Sequence, residues 1–319
     1  MGWFSNNHMP VEGRTVLMTG ASEGTGLCAA RILASKGANI VIVSRNQDKL
    51  DSALDLIEKT AKSPEQRFHA ISADVSKAKY ADSVVEEATQ WNDGQPPEIV
   101  WCLAGLSTPK LWIEDGAIEA ARHNMDVNYF GSAEMSQSIM RVWLLPRKHD
   151  RNDGLLPKHI IFTGSVLSTL SMVGHGTYAP SKFAIRALAD ALVMEVLLYP
   201  AVPIKVHLVL PDSIATVGLE HENASKSEIT TKLEGPGKPQ TPELVAKLAI
   251  EGLERGNYFV TTNLMGALMR WGAMSNSPRN NWFIDTAMSW IVSVVMLFVM
   301  WDMNNQIITW GKKNHNGRK

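Results

Sequence analysis

Thr15-Val16-Leu17-Met18-Thr19-Gly20-Ala21-Ser22-Glu23-Gly24-Thr25-Gly26 joins a short apolar run of strand formers to a glycine-rich turn. Leu27-Cys28-Ala29-Ala30-Arg31-Ile32-Leu33 then follows with a helical pattern. A glycine loop by itself is often a plain turn. Placed directly between a buried strand and a helix, it lets backbone amides and the helix N-terminus approach a pyrophosphate, with Gly20, Gly24 and Gly26 leaving room for the close contact. Ser22 and Glu23 lie inside the same loop.

Gly37 closes the helix, and Asn39-Ile40-Val41-Ile42-Val43 has no polar alternation, as expected of a strand buried on both faces. The alternation continues outward. The sequence predicts helices over residues 47–60, 78–91, 114–145 and 181–198, with strands over 68–73, 99–103, 158–163 and 204–210. Right-handed crossovers between so many strands build an α/β fold with a doubly wound parallel sheet, a Rossmann fold, whose ligands sit at the carboxyl ends of the strands. This domain is expected over residues 11–262, with a polar exposed insertion at 147–154.

Composition bounds the function. An apolar share of 45% with 20% charge suits a globular protein, and a net charge of -1 gives no basic field to collect nucleic acid. The two cysteines, Cys28 and Cys102, are far apart in apolar segments, which is neither a disulfide framework nor a metal-ligand spacing. No metal is expected. The first ten residues carry no apolar run, so the reading is a catalytic part that faces the cytosol.

Beyond residue 262 the composition shifts. Residues 263–319 are expected to associate with a membrane through a C-terminal apolar helix at about 282–301, where the stretch from Thr286 to Trp301 holds no charge. Trp282, Trp290, Trp301 and Trp310 suit a bilayer interface, and Lys312, Lys313, Arg318 and Lys319 form a basic tail. Asp285 speaks against a longer span. A buried or dimer-forming helix is the competing reading.

The strand ends carry the candidate chemistry. The second strand ends in Ser44-Arg45 where an NAD site places an acid, so Arg45 would meet a 2′-phosphate and Lys49, a turn into the next helix, would add a second positive charge. That argues for NADPH; the alternative is a solvated Arg45 and a surface Lys49. Asp74-Val75 closes the third strand, where the carboxylate could meet an adenine amino group or cap the next helix. Tyr178 and Lys182 are four apart at a helix start and so share a face, and Ser165 lies just past a buried strand. An ammonium beside a phenol is expected to lower the phenol's pKa and permit proton exchange with a substrate oxygen.

Taken together, the glycine loop, Ser165 and Tyr178-x-x-x-Lys182 resemble the short-chain dehydrogenase/reductase family over residues 11–262. The resemblance implies that Tyr178 gives a proton to a carbonyl oxygen, that Ser165 hydrogen-bonds that oxygen, that Lys182 binds the nicotinamide ribose, and that Asn128 positions a relay water. Leu103 interrupts the family's Asn-Ala-Gly and Thr25 replaces its more common Ile. Within the family, the stretches 44–50, 178–189 and 211–216 and the apolar C-terminal segment are most similar to members of fungal type that reduce a long-chain keto sphingoid base. That likeness implies a site at the endoplasmic reticulum membrane, facing the cytosol; family members often pair through helices, so a homodimer is open to this chain, and the polar, irregular composition of residues 218–237 suits a mobile lid over the substrate. Another lipophilic ketone (a steroid, a retinoid or a 3-ketoacyl chain) is the alternative substrate, and a non-catalytic NADPH-binding scaffold the alternative function.

Overall fold

A computed structural model describes residues 7–144, 156–235 and 237–315. The predicted 147–154 insertion, Arg318 and Lys319 lie outside them. Seven strands form one parallel sheet: β1 (Thr15–Thr19), β2 (Asn39–Ser44), β3 (Phe68–Ser72), β4 (Ile99–Cys102), β5 (Lys158–Thr163), β6 (Ile204–Leu210) and β7 (Phe259–Thr261). Their order is β3-β2-β1-β4-β5-β6-β7, so the strand order reverses between β1 and β4 and opens a crevice at their carboxyl ends. Val16 pairs with Ile40 on one side and Ile99 on the other.

Side chains alternate between the faces of the sheet, and each face carries its own apolar core. Leu17, Val41, Val100, Ile160 and Leu208 pack with α3 (Tyr80–Trp91), α5 (Gly131–Leu144) and α6 (Ala179–Glu195). Val16, Met18, Ile40, Ile42 and Trp101 pack with α1 (Gly24–Ser35), α2 (Gln47–Glu58) and α9 (Pro242–Glu254). A sheet covered on both faces needs apolar residues at every central strand position, which is why β2 and β4 read as nearly unbroken hydrophobic runs.

Four expectations are altered. The helix predicted over 114–145 is instead α4 (Ala117–Asn124), a π-helical stretch Met125–Phe130, and α5. The extra residue per turn in that stretch turns Asn128 inward, where it is fully buried. The lid at 218–237 is helical: α7 (Val217–Ser225) and α8 (Glu228–Glu234), capped by Thr216 and Ser227, whose hydroxyls accept from the amides of Leu219 and Thr230. The first residues past 262 pack against the body. Helix α10 (Leu264–Gly272) joins it, and Arg186 donates to the carbonyl of Ala273 and, at 3.0 Å, to Ser277 Oγ.

Last, α11 (Trp282–His315) takes in Trp282, Phe283, Ile284 and Asp285 and continues well past Trp301. Its 34 residues reach about 51 Å at ~1.5 Å each, more than the ~30 Å hydrocarbon core of a bilayer. It is long and apolar enough to cross a membrane, and Phe283, Trp290, Phe298 and Trp301 are exposed along it. Asp285 is no obstacle because it turns inward to Arg270. Gly272 makes the α10 contact possible, since a Cβ there would lie 3.0 Å from Met296 Cγ.

Candidate active site

The crevice at the β1/β4 reversal is a cleft of about 560 Å³ lined by Gly20, Ser22, Glu23, Gly24, Gly26, Arg45, Asp74 and Val75 among others. Thus the loop residues and strand ends singled out in the sequence converge on one cavity, apart from Lys49. Gly20 takes φ +70°, and a Cβ there would lie 2.6 Å from the Ala104 backbone; a Cβ on Gly26 would overlap the Gly20 carbonyl oxygen. These glycines close the loop against the sheet and keep its amides at the cleft. Ser22 Oγ donates to Ser44 Oγ at 2.9 Å, tying the loop to the end of β2.

Arg45 is exposed at the edge of the cleft, and its guanidinium has no hydrogen-bond or ion-pair partner among the described residues. Lys49 departs from expectation: its ammonium lies 2.7 Å from Glu23 Oε2, and both side chains are half exposed. The loop acid thus takes up the second positive charge, in a pair that contributes ~0–1 kcal/mol in open solvent. Asp74 Oδ1 accepts from Ser76 N at 3.0 Å and Ser76 Oγ at 2.8 Å. Burial works against its charge, but these bonds, with Arg45 and Lys77 nearby, hold the carboxyl below the usual range. Asp74 therefore organises the turn into the next segment while lining the cleft.

These residues fit a dinucleotide. Thr25 Oγ1 is buried in the glycine loop with no partner among the described residues, a polar atom that an anion or a ribose in the cleft would satisfy. Ala104 and Gly105 bring a bare backbone to the cleft floor. Leu103, in the family's Asn position, also lines it.

Next to the cleft stand the four reactive candidates. Ser165 opens a 3-10 turn, Val166–Ser168, and Oγ accepts from Leu167 N at 3.1 Å. The Ser165 side chain lies close enough to the Tyr178 hydroxyl to favour its ionised form. Lys182 lies one helical turn on, its Nζ 3.0 Å from the Thr163 carbonyl oxygen and 5.8 Å from the centre of the Tyr178 ring. Asn128 accepts from Leu106 N and donates to Leu106 O, both at 2.9 Å, and donates to Ser181 Oγ at 2.9 Å. That clamp joins the loop after β4 to the first turn of α6. A Cβ on Gly105 would lie 3.2 Å from Asn128 Oδ1 and 3.3 Å from Lys182 Nζ, so the glycine admits both groups to the cleft floor.

The electrostatics differ from expectation in one respect. Burial, then the negative charge of Glu222, push the Tyr178 phenol up from its ordinary value, while the nearby Ser165 side chain pulls it down. Burial also pushes the Lys182 ammonium down to about 8. An ammonium lowers a neighbouring phenol only to the extent that it is charged and outweighs desolvation; here desolvation prevails for both.

Sequence reading missed the lid's part in the site. His175, 1% exposed, lies 6.1 Å from Tyr178 between ring centres and 2.9 Å from Glu234 Oε1 on α8. Lys226 bridges Glu222 at 2.7 Å and Glu234 at 2.8 Å. The i,i+4 spacing of Glu222 and Lys226 was a legible helix signal inside the stretch read as irregular.

A short chain dehydrogenase family model matches residues 14–227. The chain belongs to the short-chain dehydrogenase/reductase family. It is 52% identical to a 3-ketodihydrosphingosine reductase of Neurospora crassa, over 98% of this chain and 87% of that protein. It is 40% identical to one of Aspergillus fumigatus, over 98% and 88%, and 28% identical to the 3-dehydrosphinganine reductase of Arabidopsis thaliana, over 95% and 88%. Among solved structures, a Burkholderia cenocepacia short chain dehydrogenase in complex with NADP superposes with TM-score 0.64 at 19% identity, covering 84% of this chain and 95% of that one.

Proposed function

We propose that this chain reduces 3-ketodihydrosphingosine to dihydrosphingosine with NADPH. The observation that carries the reading is the placement of Lys182, its Nζ 5.8 Å from the centre of the Tyr178 ring, beside a glycine-walled dinucleotide cleft, in a chain half identical to a reductase of that name. When bound, the nicotinamide supplies the hydride. Gly20, Ser22, Gly24, Thr25 and Gly26 would hold the pyrophosphate, Asp74 and Val75 the adenine end, and Lys182 the nicotinamide ribose. Arg45 supports the phosphorylated cofactor, because an exposed guanidinium with no ion pair among the described residues suits a 2′-phosphate.

Ser165 orients the ketone oxygen and Tyr178 donates its hydroxyl proton to that oxygen as negative charge develops there. A phenol held above its ordinary pKa is fully protonated at neutral pH, which is the state reduction requires, and an alkoxide is basic enough to take the proton. Asn128 fixes the loop after β4 against α6 and positions the water through which Tyr178 is reprotonated. Helix α11 supports anchoring in the endoplasmic reticulum membrane with the site on the cytosolic side, so that a sphingoid chain reaches Tyr178 from the bilayer. NADPH consumption by the detergent-solubilised protein, with 3-ketodihydrosphingosine, a steroid ketone and a retinal compared side by side, tests the substrate. Selective turnover of the sphingoid ketone is expected, and turnover of another ketone alone would reassign it.

A further inference from the structure

The lid carries a charged cluster that the transfer of hydride and proton does not use. Gly218 lines the dinucleotide cleft, and Glu222, four residues on in α7, shares its helix face. Glu222 is 17% exposed, and one of its carboxylate oxygens lies within 4.8 Å of a ring nitrogen of His175, whose ring centre is 6.1 Å from that of Tyr178. The ligating atoms of Glu222, Glu234 and His175 lie within 4.8 Å of one another. Lys226 sits between the two carboxylates and fills the position a metal ion would need. Lys226 takes Oε1 of Glu222 and Oε2 of Glu234, and His175 takes Oε1 of Glu234. Oε2 of Glu222 is left as the carboxylate oxygen of the cluster without a partner among the described residues.

In 3-ketodihydrosphingosine the carbon next to the ketone bears an amine, protonated near neutrality. Wherever Tyr178 meets the ketone oxygen, that ammonium is held a few bonds away. A steroid ketone, a retinal or a 3-ketoacyl chain presents no cation there. We propose that Glu222 is a specificity-determining residue, pairing through its open oxygen with the substrate ammonium while Lys226 and His175 hold the lid carboxylates in place. The inference rests on the reductase reading above and deepens it.

The test compares kcat/KM for 3-ketodihydrosphingosine with that for a straight-chain 3-ketone of the same length lacking the amine, in the wild type, E222Q and E222D. A charge-assisted hydrogen bond is worth ~1.5–3 kcal/mol, so E222Q is expected to cut the preference for the amino ketone about tenfold or more, mainly through KM, and E222D to keep part of it. An unchanged preference in E222Q overturns the role of Glu222 and leaves the reductase reading standing. Should E222Q lose all turnover, the preference of E222D decides: retention of the full wild-type value contradicts the inference, and partial loss supports it. A wild type that turns over only the amine-free ketone overturns the reductase reading and the inference with it.

Discussion

Arg270 and Asp285 form a two-pronged ion pair, with Nη2 2.8 Å from Oδ1 and Nη1 3.2 Å from Oδ2, where α11 leaves the packed body. Trp271 Nε1 donates to the same carboxylate at 2.7 Å and the Asn280 amide at 2.8 Å. Both charged side chains are almost fully buried. Removing one partner of such a pair strands the other without solvent and costs ~3–5 kcal/mol. Asp285→Ala is therefore expected to unfold at distinctly lower temperature in detergent, with α10 and the first turn of α11 losing amide protection first; a melting curve that coincides with the wild type would contradict this.

Deleting residues 287–319, which leaves Asp285 in place on Arg270, should release the protein from membranes into the soluble fraction, since most of the exposed apolar side chains of α11 go with it. Fractionation of expressing cells reads the outcome. Retention on membranes would transfer the anchoring role to α10 or another surface.

Arg45→Asp should shift the preference from NADPH toward NADH by an order of magnitude or more, by replacing the phosphate's partner with a carboxylate that suits a ribose hydroxyl. Lys49→Ala should have a much smaller effect because Lys49 is paired with Glu23. The ratio of kcat/KM for the two cofactors measures both. Equal effects would mean that the Glu23 pair opens to let Lys49 bind the phosphate.

The depressed pKa of Lys182 makes two pH predictions. In the cofactor-free protein its folded value is about 8 against an ordinary 10.5, so between those values the unfolded chain binds the extra proton and the folded one does not. Stability therefore rises with pH across about 8 to 10.5 from this group, and Lys182→Met removes that contribution. Cofactor binding that needs the ammonium runs the other way, so NADPH affinity, followed by fluorescence, should weaken as pH rises through about 8. A flat binding profile from pH 7 to 9 would remove Lys182 from the ribose.

Tyr178→Phe should lower turnover by ~10²-fold or more, the usual contribution of a positioned acid, while NADPH still binds. Normal turnover by this variant would mean that the proton comes from elsewhere.

Strands β1 to β6 were legible, the central ones β1, β2 and β4 most plainly, because burial on both faces makes them apolar runs that end at a glycine, serine or small-residue turn. Arg45 and Tyr178-x-x-x-Lys182 were legible because their chemistry depends on residue type and spacing. Asn128's setting was not: a π-helical stretch has the same periodic look in sequence as the helix around it. The lid was misread because α7 has no buried residue and no apolar stripe; caps and the Glu222–Lys226–Glu234 bridge hold it instead. β7 has three residues, too few for a periodicity, and Asp285 looked like a break in an apolar span because its partner Arg270 belongs to a different helix.

Direct hydride transfer from NADPH to the 3-keto carbon of the sphingoid ketone is read by incubating the protein with 3-ketodihydrosphingosine and NADPH carrying deuterium at both positions of the hydride-donating carbon, then analysing the product by mass spectrometry. Dihydrosphingosine carrying a single deuterium on carbon 3 is the predicted result. Unchanged ketone beside intact NADPH, or a product without the label, would contradict the account.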